Sequence, residues 1–443
     1  MLIFTLLLFS LIINILTPVV LLTKYKKITL YFLFFYYFGI NYLNYIMGTN
    51  QGIENFIIKA YPDVLMLSLV LRLFIMTTRG DNTNNKKKGI DKLFFVCVFV
   101  SMICVIYSMA KDNSISRIIL DWRDTVAPVL IMYLMVRTNV INFDDGDRIL
   151  HFIALMVVGN SIIAIIDYYN FNGIAESSWR YDFLIDLNLK TDSDYESRMV
   201  VYQIVRNGNL RSSGLFVSAL QYSYIAGMFC FYFYLKLLNS LKWLNFSGLA
   251  LSLISMIICL AGVYVSQVRT AFLIIIFNIL FYHLCLSYKN NFSFKPKLTM
   301  SLAVICSVVM FYAIYYLGES ADASSYGRLA QYAIMISDFN PLGAGLGAYK
   351  GLFDSFYVYI ILTLGAPSIY FIYFFVKRYI YIFSRKNIEI DKKYIPFVGV
   401  CFTAFPVMML AMSFQHVAGS IYYTLNFLTF FISMRYLTNV SVK

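Results

Sequence analysis

The chain has 443 residues, 60% hydrophobic and only 13% charged, with a mean hydropathy of +0.70. A soluble protein carries about a quarter charged residues, so the composition excludes a soluble enzyme and predicts a polytopic membrane protein with little mass outside the bilayer. The net charge of +13 sits in short Lys/Arg clusters between apolar runs, the pattern of topology signals and headgroup contacts rather than of a nucleic-acid surface.

In chain order the apolar runs predict helical spans at about 2–23, 28–47, 62–78, 93–110, 124–137, 149–168, 214–236, 246–265, 271–288, 298–317, 353–376, 394–413 and 420–436. Their length is that of a bilayer-crossing helix, not of a strand. The short run at 124–137 is the weakest, so the expectation is 12–13 spans in an all-α fold. The first run has no basic leader or small-residue cleavage site and reads as a retained helix. All seven cysteines (97, 104, 230, 259, 285, 306 and 401) fall inside apolar runs, without metal-ligand spacing, and suit core packing.

Of the Lys and Arg in the connections, 23 lie in one alternating set and 12 in the other. The richer set belongs in the cytoplasm. Two outward connections stand out by length, 169–213 and 318–352, and long ordered loops tend to carry function. The first is mixed in charge, with Trp179, Arg180, Asp182, Asp186, Asp192, Asp194, Glu196, Arg198, Arg206 and Arg211. In the second, residues 328–336 form a partly amphipathic helical pattern suited to the membrane interface. Asn340-Pro341 ends it, because proline breaks the hydrogen-bond ladder.

Outward cations draw attention because topology gives no reason to keep them there. Arg211 precedes Ser212-Ser213-Gly214, Arg269 sits in the short turn 266–270, and Arg328 follows Gly327. A guanidinium fork suits diphosphate oxygens; the plain alternative is that each snorkels to headgroups. Gly343, Gly345 and Gly347 fit a tight turn against either a phosphate or a neighbouring helix. Asp354, at the outer end of a span, suits a base for a sugar hydroxyl or merely a helix end. Asp192-Ser193-Asp194 has the spacing of a metal motif, which in an acidic loop is mostly chance. His416 in the last outward turn is an acid or base candidate with a structural role favoured; His151 and His283 read as structural. Arg72, in mid-span, needs a polar cavity or a route to the interface.

Four pieces in order resemble the O-antigen ligase and polymerase superfamily of lipid-linked glycan enzymes. They are Arg211-Ser-Ser-Gly214-Leu-Phe, Val268-Arg269-Thr270-Ala271, Gly327-Arg328 followed by Asn340-Pro341-Leu-Gly-Ala-Gly345-Leu-Gly347, and Asp354-Ser355 with Leu364-Gly365. They cover about 210–370 and lie on one side of the membrane by the charge count. Ligases of the family place a histidine where this chain has Asp354, which favours the polymerase branch; Ser355 stands where asparagine is usual. The resemblance implies a GT-C-like fold with two long periplasmic loops, in a bacterial inner membrane with the active site facing the periplasm. It implies a metal-independent glycosyltransferase that needs no cofactor. Donor and acceptor are undecaprenyl-diphosphate-linked glycans, and a chain-length regulator and a flippase are the expected membrane partners. Arg211, Arg269, Arg328 and Asp354 would be catalytic, with Asn340, Gly343, Gly345, Gly347 and Ser355 holding substrate. A ligase is the nearest alternative; a flippase is the rival from another class, for which repeated halves and charged mid-span positions are expected.

Overall fold

The computed structural model describes residues 2–46, 48, 57–78, 88–188, 201, 203–206, 208–289, 291–317, 323–384 and 391–437. Asp192, Asp194, Glu196 and Arg198 lie outside them. The fold is mostly helical, and among the described residues six helices are long and apolar enough to cross a membrane. The chain is a polytopic membrane protein. Among the described residues strands are confined to two short hairpins in the connections, Val205–Arg206 with Asn209–Leu210 and Leu286–Lys289 with Asn291–Phe294.

The chain divides into two compact units. The first comprises Met1–Leu73, Leu134–Leu280 and Ile390–Val400. Its helices are α1 (Leu2–Leu22), α2 (Ile28–Ile46), α3 (Tyr61–Thr78), the end of α6 (Ala127–Arg137), α7 (Phe143–Tyr169), α8 (Trp179–Asn188), α9 (Ala219–Lys242), α10 (Phe246–Val265) and α11 (Arg269–Cys285). The core is the packing of α9 against α10, with α7 against both. Small residues make that approach close. A Cβ at Gly262 would fall 2.0 Å from the Tyr222 hydroxyl and 2.9 Å from Ser161 Oγ, so glycine leaves room for the Tyr222–Ser161 hydrogen bond that ties α9 to α7. Asn142 and Asp145 form a reciprocal capping box at the start of α7, and Lys27 reaches the same Asp145 at 2.8 Å. Arg72, predicted to need a polar outlet, instead donates to the carbonyls of Leu21 and Thr138. Both carbonyls lie at C-terminal helix ends, where a cation meets the negative end of the dipole and unsatisfied acceptors.

The second unit comprises Phe74–Tyr133, Phe281–Glu389 and Cys401–Lys443. It contains α4 (Lys88–Ala110), α5 (Ile115–Thr125), most of α6, α12 (Pro296–Leu317), α13 (Ala323–Ser337), α14 (Phe356–Leu364), α15 (Ala366–Phe383), most of α16 (Ile395–Met412) and α17 (Ile421–Tyr436). Phe375, Tyr379, Phe402, Phe405, Phe427, Phe430 and Phe431 form its aromatic core across α15, α16 and α17. Residues Val304, Ile305, Val308, Val309 and Tyr312 of α12 are exposed, a long apolar face that only hydrocarbon would solvate favourably.

Two predicted spans differ. The run at 124–137 is eleven-residue α6, preceded by amphipathic α5, which ends at Thr125, and Pro128 lies near the junction, where proline fits a helix start but not an interior. The run at 353–376 is broken into α14 and α15 at Gly365, which has φ +65°. Pro367 cannot continue the ladder, and the freed backbone groups need partners inside the protein. The glycine segment supplies them: Ala344 and Gly345 donate to the carbonyls of Leu362 and Thr363 at 2.9 and 3.0 Å, and Ala366 donates back to Pro341 at 2.9 Å.

Candidate functional site

In the second unit α13 and the segment between α13 and α14 assemble a polar cluster. Helix α13 forms as the amphipathic pattern predicts and carries Arg328, Gln331 and Tyr332 one turn apart on a shared face. Gln331 accepts the backbone N–H groups of Asp354 and Ser355 at 3.0 and 3.3 Å. The Tyr332 hydroxyl meets Ser355 Oγ at 3.0 Å and donates to the Ser413 carbonyl at 2.9 Å. These latches fix the start of α14 against α13 and bring Arg328 Nε to 3.8 Å from Asp354 Oδ2. The Arg328 side chain is 15% exposed and that of Asp354 53%. At 3.8 Å the pair attracts but does not hydrogen-bond, and Arg328 Nε is buried with no hydrogen-bond partner.

The other predicted members of this segment are already committed. Ser355 is fully buried; its hydroxyl caps α14 at Val358 and donates to Met412. It positions the neighbouring Asp354 rather than facing a ligand. Asn340 is exposed and closes its own turn, accepting from Leu342 at 3.0 Å. Gly343, Gly345 and Gly347 all have positive φ, and their amides donate to Asn340, Thr363 and Asp121. The close neighbour the glycines serve is therefore the protein's own backbone: a Cβ at Gly343 would lie 2.3 Å from the Thr363 carbonyl oxygen.

A second set of polar groups beside that clasp was not anticipated. Asp121 and Asp124, three residues apart on α5, share one face. Asp121 accepts the Gly347 amide at 2.7 Å and the Tyr359 hydroxyl, and Lys350 pairs with Asp124 at 2.7 Å. Burial pushes the Asp121 carboxyl above the usual carboxylate range, although Tyr359, Gly347 and Lys350 favour its charged form. His416 stands edge-on to Tyr359 with ring centres 4.6 Å apart, and its Nε2 is buried without a hydrogen-bond partner. Burial drives its pKa down to about 4, with Asp124 opposing and Lys350 adding to the fall. The imidazole is neutral at physiological pH, which suits the structural role favoured from the sequence. The recoverable signal was the D-x-x-D spacing in a strongly amphipathic stretch, hidden because it lay beside a run read as a span.

In the first unit Arg211 and Arg269 lie on adjacent segments, because Ser212 N–H donates to the Val265 carbonyl at 3.1 Å. Gly214, with φ +58°, is pressed against Asn160 of α7, whose side chain donates to the Ser213 carbonyl and accepts from Leu215 N–H. Arg269 is exposed at the first position of α11, after Gln267 in the left-handed region. Beneath them Arg180 is 3% exposed and donates to the carbonyls of Val217, Arg211 and Gln203 at 2.8, 2.5 and 3.2 Å. Burial and the Arg211 charge lower its pKa to about 9, so it remains a cation at neutral pH. Arg180 organises the backbone from which Arg211 projects.

No family model matches the chain, and neither a curated protein nor a solved structure does.

Proposed function

We propose that the chain is a glycosyltransferase that polymerises undecaprenyl-diphosphate-linked repeat units into O-antigen or a similar surface polysaccharide. In this reading it is a GT-C-like protein of a bacterial inner membrane, with 12–13 spans, two long periplasmic loops and a metal-independent site facing the periplasm. The acceptor sugar hydroxyl attacks the anomeric carbon of the growing glycan. A carbon–oxygen bond forms there as the bond to the diphosphate breaks. The hydroxyl proton goes to Asp354, and undecaprenyl diphosphate leaves with the electron pair, its charge met by Arg328; the motif resemblance gives Arg211 and Arg269 the same service.

The observation that carries this reading is the buried, unpartnered Nε–H of Arg328 beside the exposed Asp354 carboxylate. A desolvated guanidinium donor lacking an acceptor is a site for an anionic oxygen, and a carboxylate next to it is placed to take a proton. The ordered arginine and glycine motifs support the same reading, and the absence of a histidine at position 354 favours polymerase over ligase.

Deletion of the gene from the source strain tests it by gel analysis of surface lipopolysaccharide. The expected result is a core carrying a single repeat unit with the ladder gone. Loss of every repeat unit from the core would overturn the proposal. Long chains left on undecaprenyl would then indicate a ligase, and unextended units trapped inside a flippase.

A further inference from the structure

Next to the Arg211 segment, the first unit contains a cavity of about 180 Å³ that none of the catalytic assignments uses. Asp167 and Asn170 from the end of α7, Phe171, Trp179, Arg180 and Ser212 line it. Its volume is that of about six liquid waters. Three observations say what it would hold.

The wall is aromatic and rigid. The Trp179 indole N–H donates to the Gly214 carbonyl at 3.3 Å, and the ring is braced by Tyr42, Tyr45 and Phe183 at 5.2, 5.6 and 6.0 Å between centres. A fixed indole offers apolar contact at small entropic cost. One hydroxyl awaits a partner: Ser212 is 1% exposed and its Oγ makes no hydrogen bond. Buried polar groups are almost always paired, and Ser212 belongs to the lining of this cavity, so a turn of its side chain towards the space is where a ligand group would satisfy the hydroxyl. Finally, the polar groups suit a neutral ligand that donates hydrogen bonds. Arg180 has committed three donors to main-chain carbonyls, and Asp167 presents a carboxylate to the same space.

We infer that this cavity is a subsite for one sugar ring, a neutral hydroxyl-rich ligand that donates to Asp167 and bonds Ser212 while its apolar face lies against Trp179. The inference rests on the proposed function for why a glycan is near, and adds where one of its rings would sit.

Purified full-length protein in detergent is titrated with a panel of free hexoses, N-acetylhexosamines and deoxyhexoses, following tryptophan fluorescence, with inorganic phosphate as the anion probe. At least one sugar should give a saturable change. Asp167→Asn should weaken it about tenfold and Ser212→Ala several-fold, with melting temperatures showing that both variants fold. Ser212→Ala removes a hydroxyl with no internal partner, so it remains informative if Asp167→Asn does not fold. A flat response to every sugar, unchanged affinity in the variants, or the same response to phosphate would each overturn the inference. A protein that binds no sugar yet extends chains would leave the proposed function standing. One that binds sugar but is dispensable for chain extension would do the reverse.

Discussion

Arg180 and Arg328 show that burial alone does not tell what an arginine is for. Arg180 gives three donors to carbonyls and is structural; Arg328 keeps a buried donor unpaired beside an exposed carboxylate. The Arg328–Asp354 contact is half open to solvent, so it contributes little to stability, and retaining it makes sense for chemistry. His416 gives a residue-scale prediction. A histidine whose folded pKa lies near 4 against 6.5 unfolded leaves the folded state binding fewer protons in that window. The stability it contributes is thus complete above pH 6.5 and lost as pH falls towards 4, on the order of 3 kcal/mol. Thermal melts of wild type and His416→Gln from pH 7.5 to 4 should therefore converge as the pH falls. Parallel curves would mean that His416 is not held neutral. Asp121, shifted upward, acts in the opposite sense in both proteins, so the comparison isolates the histidine.

Among the elements, the broken helix α14–α15 and the glycine clasp form one device. Each of Gly343 and Gly365 faces the other's segment, with a Cβ at Gly365 falling 2.2 Å from the Pro341 carbonyl oxygen. Gly343→Ala puts a side chain into a left-handed position and against backbone, and should destabilise the protein by roughly 3 kcal/mol or more. Gly327 differs: it lies within α13 and a Cβ there meets nothing within 4 Å. Gly327→Ala should be neutral or stabilise by up to about 1 kcal/mol. Melting of the two variants in detergent checks both, and equal effects would contradict the clasp. The sequence showed that α13 is amphipathic and where Asn340-Pro341 stops it, because period and proline are local signals. The break at Gly365 was not legible, because its partner carbonyls and amides come from a loop some twenty residues away. Asp121 was missed for the same reason: its partners Gly347 and Tyr359 are more than two hundred positions distant.

At the scale of the molecule, composition sufficed for the class: long apolar runs with few charges become membrane-length helices. The number of spans was less legible, since α6 is only eleven residues long and the run at 353–376 is divided between α14 and α15. Which of the predicted arginines are buried, paired or exposed was not legible, because that depends on contacts between distant segments. In the proposed function the Arg328–Asp354 pair carries chain extension. Its most direct test is complementation of the deletion strain with Arg328→Ala and Asp354→Asn, reading the surface polysaccharide ladder against immunoblotted protein. The expected result is wild-type protein levels with the ladder collapsed to single repeat units, a loss of about a hundredfold or more in polymer, in both variants. Normal ladders from both variants would contradict it.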